Sequence, residues 1–72
     1  MIQHTYIHSY PVSYEDTNAK EGMIYLRDEL DEQESKVFFE QAHRAGSAEF
    51  QDEHDRQFTL MYENEKYVII RR

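Results

Sequence analysis

His4 and His8 stand four residues apart, a spacing that could chelate a metal ion. On a helix the two would share a face. On a strand they lie ~13 Å apart, too far for one ion. Met1 to Tyr10 alternates with period two and is rich in Thr, Tyr and Ile, so it reads as a strand. Ile2, His4, Tyr6, His8 and Tyr10 then point one way, as partly exposed strand side chains. A metal would also require His43 or His54 to come close, and none is expected.

Two acidic runs invite other chemistry. Asp28, Glu29, Asp31, Glu32 and Glu34 have the density of a calcium loop but lack its central Gly and its ligand spacing. They suit the start of a capped helix instead. Glu49, Asp52, Glu53 and Asp55 surround His54, a set that could be imagined as an acid–base site. Carboxylates in a polar turn stay ionised, whereas catalytic ones need burial or a like-charged neighbour in a cleft. There is no phosphate-binding Gly-rich loop and no nucleophile elbow, and Ser9, Ser13, Ser35 and Ser47 have no activating neighbour in the sequence. The expectation is no catalytic activity and no cofactor.

The six tyrosines could stack on single-stranded nucleic acid, but such faces interleave aromatics with Lys and Arg. Here they alternate with His, Thr and acids, and they read as sheet packing with hydroxyls at the rim. Fifteen acidic residues against eight basic ones give a net charge of −7. That field opposes direct binding to nucleic acid or an anionic membrane and favours basic partners. No apolar run is long enough for a membrane span or a signal peptide. With no cysteine in the chain, thiol chemistry and thiolate metal sites are excluded, and the expected compartment is the cytoplasm.

The positioning element is a helix from about Leu30 to Gly46. Asp31 can cap it, Glu34 completes a capping box, and Gly46 is the stop. The wheel places Leu30, Val37, Phe38, Gln41, Ala42 and Ala45 toward a core, with Phe39 off that stripe. Residues 12–27 have two readings. The preferred one is a hairpin, Val12–Glu15 out, a turn at Asp16–Gly22, and Met23–Arg27 back. The alternative is a helix from about Asn18, continuous with the main one. After Gly46, Ala48 and Phe50 alternate, then Phe58, Leu60 and Tyr62, with Thr59 and Met61 on the other side. The charged cluster Asp52–Arg56 between them reads as a turn or bulge. Asn64 favours φ > 0 in the connection to a last strand, Tyr67–Ile70.

The expected fold is one α+β domain, residues 1–72, ordered β-β-α-β-β with a small antiparallel sheet and one main helix on one face. Such a helix covers one side only, yet Val68 and Ile70 oppose Tyr67 and Ile69, and both sets are apolar. A homodimer, by face pairing or by joining the last strands edge to edge, would bury the surplus. The function expected is a small acidic protein-interaction or regulatory module. The alternative is an acidic inhibitor that mimics nucleic acid, as small phage-encoded proteins can. The partner surface would draw on Asp28, Glu29, Asp31, Glu32, Glu34, Phe39, Glu49, Asp52, Glu53, Asp55, Val68 and Ile70.

Overall fold

In the computed structural model, which describes residues 1–72, the first strand stops earlier than its alternation suggests. β1 (Ile2–Ile7) and β2 (Tyr10–Glu15) form a hairpin closed by His8 and Ser9, with φ of 48° and 78°. Positive φ at both turn positions matches the twist of the flanking strands, as in a type I′ turn. Ile7 pairs with Tyr10 and Tyr6 with Pro11. Tyr10 therefore lies on the opposite side of the sheet from Tyr6, not on the same side. Pro11 is tolerated inside a strand because pairs in an antiparallel ladder alternate between bonded and non-bonded. The ladder to the next strand begins one residue later, at Val12.

The expected returning strand at Met23–Arg27 is not formed. The chain runs instead as a short helix, α1 (Lys20–Ile24), that widens into one π-helical turn over Tyr25–Glu29. Ala19, Met23 and Leu26 are buried at helical spacing. The helical alternative is thus correct up to Glu29. It is not continuous with the main helix, because Leu30 is extended (φ −99°, ψ 144°). Gly22 lets α1 approach the sheet. A Cβ there would sit 2.8 Å from Cδ1 of Phe58.

α2 (Glu32–Ala45) has the expected capping box. The Asp31 side chain accepts from Glu34 N–H at 2.8 Å, and the Glu34 side chain accepts from Asp31 N–H at 3.1 Å. Gly46 ends it with φ 93°. Its inward face differs from the expected stripe. Ser35, Phe39 and Ala42 are buried, Phe38 is half-buried, and Val37 is 62% exposed. The true face is rotated by about one residue, ~100° of helix. Phe39, expected at the surface, is fully buried and stacks on Tyr10 at a centroid distance of 4.2 Å.

β3 (Ser47–Gln51), β4 (Gln57–Glu63) and β5 (Lys66–Arg71) complete a five-stranded sheet in the order β1-β2-β5-β4-β3. Asn64 and Glu65 close the β4–β5 hairpin, both at positive φ. The sheet is mixed, not antiparallel, because β5 runs parallel to β2 while the other neighbours are antiparallel. The reason is the crossover. The helices carry the chain from β2 to the far edge, and two hairpins bring it back to the centre. The last strand is therefore interior and has no free edge, which removes edge-to-edge joining through it. Only β1 and β3 are edge strands.

Val12, Tyr14, Phe50, Phe58, Leu60, Tyr67 and Ile69 point to the helices and form the core with Met23, Leu26, Phe39 and Ala42. No helix of the structure is long and apolar enough to cross a membrane.

Candidate interaction surface

Strand alternation puts Ile2, His4 and Tyr6 of β1 on the side away from the helices, beside Pro11, Ser13 and Glu15. The register continues this side across the sheet. Ser13 lies opposite Val68, Val68 opposite Met61, and Ile70 opposite Thr59. No element covers these residues. Tyr6 is 71% exposed, Ile2 56% and Ile70 44%, while Val68 and Met61 are half-buried among their neighbours. Two shallow grooves cross this side. One, of about 330 Å³, is lined by residues that include His4, Tyr6, Pro11, Ser13 and Lys66. The other, about 200 Å³, includes Ile2, Glu15, Val68 and Ile70. His4 Nδ1 lies 2.8 Å from Ser13 Oγ, which ties the ring to its neighbour on β2. Of these residues, the sequence reading selected only Val68 and Ile70. The alternation that placed Ile2 and Tyr6 together was the available signal, but the strand's position at a bare edge was not.

At the opposite end of the sheet the two acidic runs meet. The π-helical turn presents Glu29 to the β3–β4 loop, where Glu53 lies close beside it. A hydrogen bond that Glu53 can share once one carboxyl is protonated, and the repulsion of its charge, push the Glu29 carboxyl above the usual glutamate range, with partial desolvation and Asp28 adding and His54 opposing. Around the pair is an open cleft of about 230 Å³, lined by Glu21, Ile24, Tyr25, Glu29, Asp52, Glu53, His54 and Arg56. Arg56 is its one cation. Its Nε donates to Asp52 Oδ2 at 2.6 Å, and its Nη1 is 3.7 Å from Glu21 Oε1.

Asp52 is not a surface carboxylate, although the charged run around it led to that expectation. It is 7% exposed, and Oδ1 accepts from the backbone N–H groups of His54 and Arg56, each at 2.9 Å. Burial raises its pKa, but Arg56 and these N–H donors outweigh that and hold the carboxyl below the usual range. The residue organises the turn, and its charge is spent internally.

The other selected acids divide by neighbour. Asp28 pairs with Arg27 at 2.9 and 3.0 Å, which lowers its pKa, and His8 contributes in the same direction. Glu49 pairs with Arg72 at 3.1 Å. Asp55 accepts from Gln51 Nε2 at 2.8 Å at a backbone φ of 62°. Asp31 and Glu34 serve the helix cap, and Glu32 is exposed beside them. Phe39 belongs to the core and is withdrawn from the partner surface.

The histidines are dispersed. His43 packs on the Tyr62 ring at 4.5 Å, His54 lines the acidic cleft, and His8 has an enclosed Nε2 without a hydrogen-bond partner. No group of three His, Asp or Glu side chains is placed to hold a metal ion. Comparison with known protein families, with curated proteins and with solved structures finds no match.

Proposed function

We propose that this chain is a small protein-interaction module without catalytic activity, and that the bare side of its sheet is the surface it presents. One observation carries the reading: the helices cover one side of a five-stranded sheet, and Ile2, Tyr6, Met61, Val68 and Ile70 occupy the other. Exposed apolar groupings of this kind mark interaction sites more often than a scatter of single residues does. A second copy of the chain is the partner that fits best. β1 and the apolar rows beside it contribute few charges to a molecule of net −7, so the negative charge is sparse where two copies would meet, and the remaining repulsion is long-range and screened by salt. Sedimentation at ~100 μM, a concentration that populates any interface of ordinary affinity, is the test. A two-chain mass that Tyr6→Glu abolishes supports the reading. A single-chain mass contradicts it.

A second reading rests on the contact between Glu29 and Glu53. It joins the acidic runs at one end of the molecule, where they would face a basic partner as a nucleic acid does. Binding to a polylysine peptide should then weaken steeply with salt. The Glu29→Gln/Glu53→Gln variant should bind less tightly than Glu63→Gln/Glu65→Gln, which makes the same change in charge elsewhere. Equal loss in both variants would show only a general response to net charge.

A further inference from the structure

The two edge strands differ in a way that selects one of them. β3 is the shorter and carries Glu49 at its centre, so two β3 edges would set like charges together. β1, IQHTYI, carries no Asp, Glu, Lys, Arg or Pro and has none of the usual guards against strand addition. Its ladder to β2 shows which backbone groups are free. The Met1 carbonyl accepts from Asp16 N–H at 3.3 Å and so faces β2. Backbone direction alternates along a strand, so Gln3, Thr5 and Ile7 also face β2. The N–H and C=O groups of Ile2, His4 and Tyr6 therefore point outward, unpaired, and the side chains of these same residues lie on the bare side of the sheet.

We propose that this edge pairs with the same edge of a second copy, antiparallel, about a two-fold axis at His4. The inference rests on the reading that a second copy is the partner; it joins the copies side by side through β1, covering Ile2 and Tyr6 at the seam, while Met61, Val68 and Ile70 stay on the open side of the joined sheet. Only this register engages all three outward residues. His4 exchanges both backbone hydrogen bonds with His4 of the other copy, and Ile2 does so with Tyr6. Slipping by two residues leaves one of the three unpaired at each end. The register also sets Ile2 beside Tyr6 on the bare side, so an aliphatic side chain covers an aromatic ring at both ends of the seam. The two sheets become one continuous sheet, and the contact is self-complementary as a two-fold axis requires. The acidic cleft is lined in part by the β3–β4 loop, at the sheet edge opposite the seam, so the Glu53 carboxylates of the two copies are kept apart.

Backbone amide exchange on the unmodified protein tests the geometry. Thr5 and Ile7 amides, already bonded to β2, should be protected at every concentration. His4 and Tyr6 amides should exchange freely at about 1 μM and slow by about tenfold or more at ~100 μM. His4→Asp places two carboxylates face to face at the axis. It should lose the two-chain mass while keeping the circular dichroism of the native protein, and His4→Gln should keep both. A two-chain mass with freely exchanging His4 and Tyr6 amides would overturn the edge pairing and leave self-association standing. Protected amides with a His4→Asp dimer intact would overturn the register. A single-chain mass at ~100 μM would overturn both the pairing and the reading beneath it.

Discussion

The Ser35 hydroxyl donates a hydrogen bond to the Leu26 carbonyl at 2.6 Å, with both residues fully buried. Leu26 lies in the π-helical turn, and its carbonyl is among those a helix leaves without an internal partner at its C-terminal end. Ser35 supplies that partner from the inward face of α2 and so ties the two helical segments together. Ser35→Ala leaves the carbonyl buried and unsatisfied, which should destabilise the protein by about 1–3 kcal/mol in urea unfolding. An unchanged midpoint would mean the bond contributes nothing net.

The face of α2 can be tested by three truncations. Phe39→Ala should cost about 3–5 kcal/mol, because the ring is fully buried between Tyr10 and Tyr67. Phe38→Ala should cost less, since Phe38 is half-buried with its ring on Phe50. Val37→Ala should stay within about 0.5 kcal/mol, as exposed substitutions do. Melting curves of the three would reverse this order if the helix were rotated.

Gly22 allows two opposing effects to be weighed. Alanine normally stabilises a helix by about 1 kcal/mol over glycine. Here its Cβ would stand 2.8 Å from Cδ1 and 2.9 Å from Cγ of Phe58, itself fully buried. Overpacking of that kind costs about 1–3 kcal/mol, so Gly22→Ala should lower the melting temperature. A rise would show that Phe58 moves aside freely.

Asp52 should impose a pH dependence with a definite sign. Its folded pKa is depressed, so the stabilisation is present above the unfolded value of about 4 and is lost as pH falls below it. Asp52→Asn removes the titrating group and should flatten the fall in unfolding free energy between about pH 5 and pH 2. Parallel curves for the two proteins would assign the acid sensitivity to other carboxylates.

Much of α2 and of β3 to β5 was legible because local signals agree there. The capping box at Asp31 and Glu34, the stop at Gly46 and the turn at Asn64 all fall where expected. The helix face was misread because a serine occupies one of its buried positions, and hydropathy alone places Ser35 outside. The run MIYL at residues 23–26 has strand-like composition, yet tertiary burial of Met23 and Leu26 against the sheet holds it helical. The hairpin turn at His8–Ser9 lacks the Gly or Asn that usually marks positive φ. The parallel pairing of β2 with β5 joins residues more than fifty positions apart, such as Val12 and Tyr67, and no local pattern encodes it. For the candidate surface, Val68 and Ile70 were visible by alternation. The convergence of Glu29 with Glu53 depends on the π-helical turn and could not be read from spacing.

The proposed contact joins two copies of this chain through β1, at the border of the bare side of the sheet. Sedimentation equilibrium at ~100 μM, repeated from low to physiological salt, reads out that contact. Each chain is 8.8 kDa and carries a net charge of −7, so the copies repel, and salt with a Debye length of about 8 Å should relieve that repulsion. The expected result is a two-chain mass that grows more populated as salt is added. A mass of one chain at every salt concentration would contradict it.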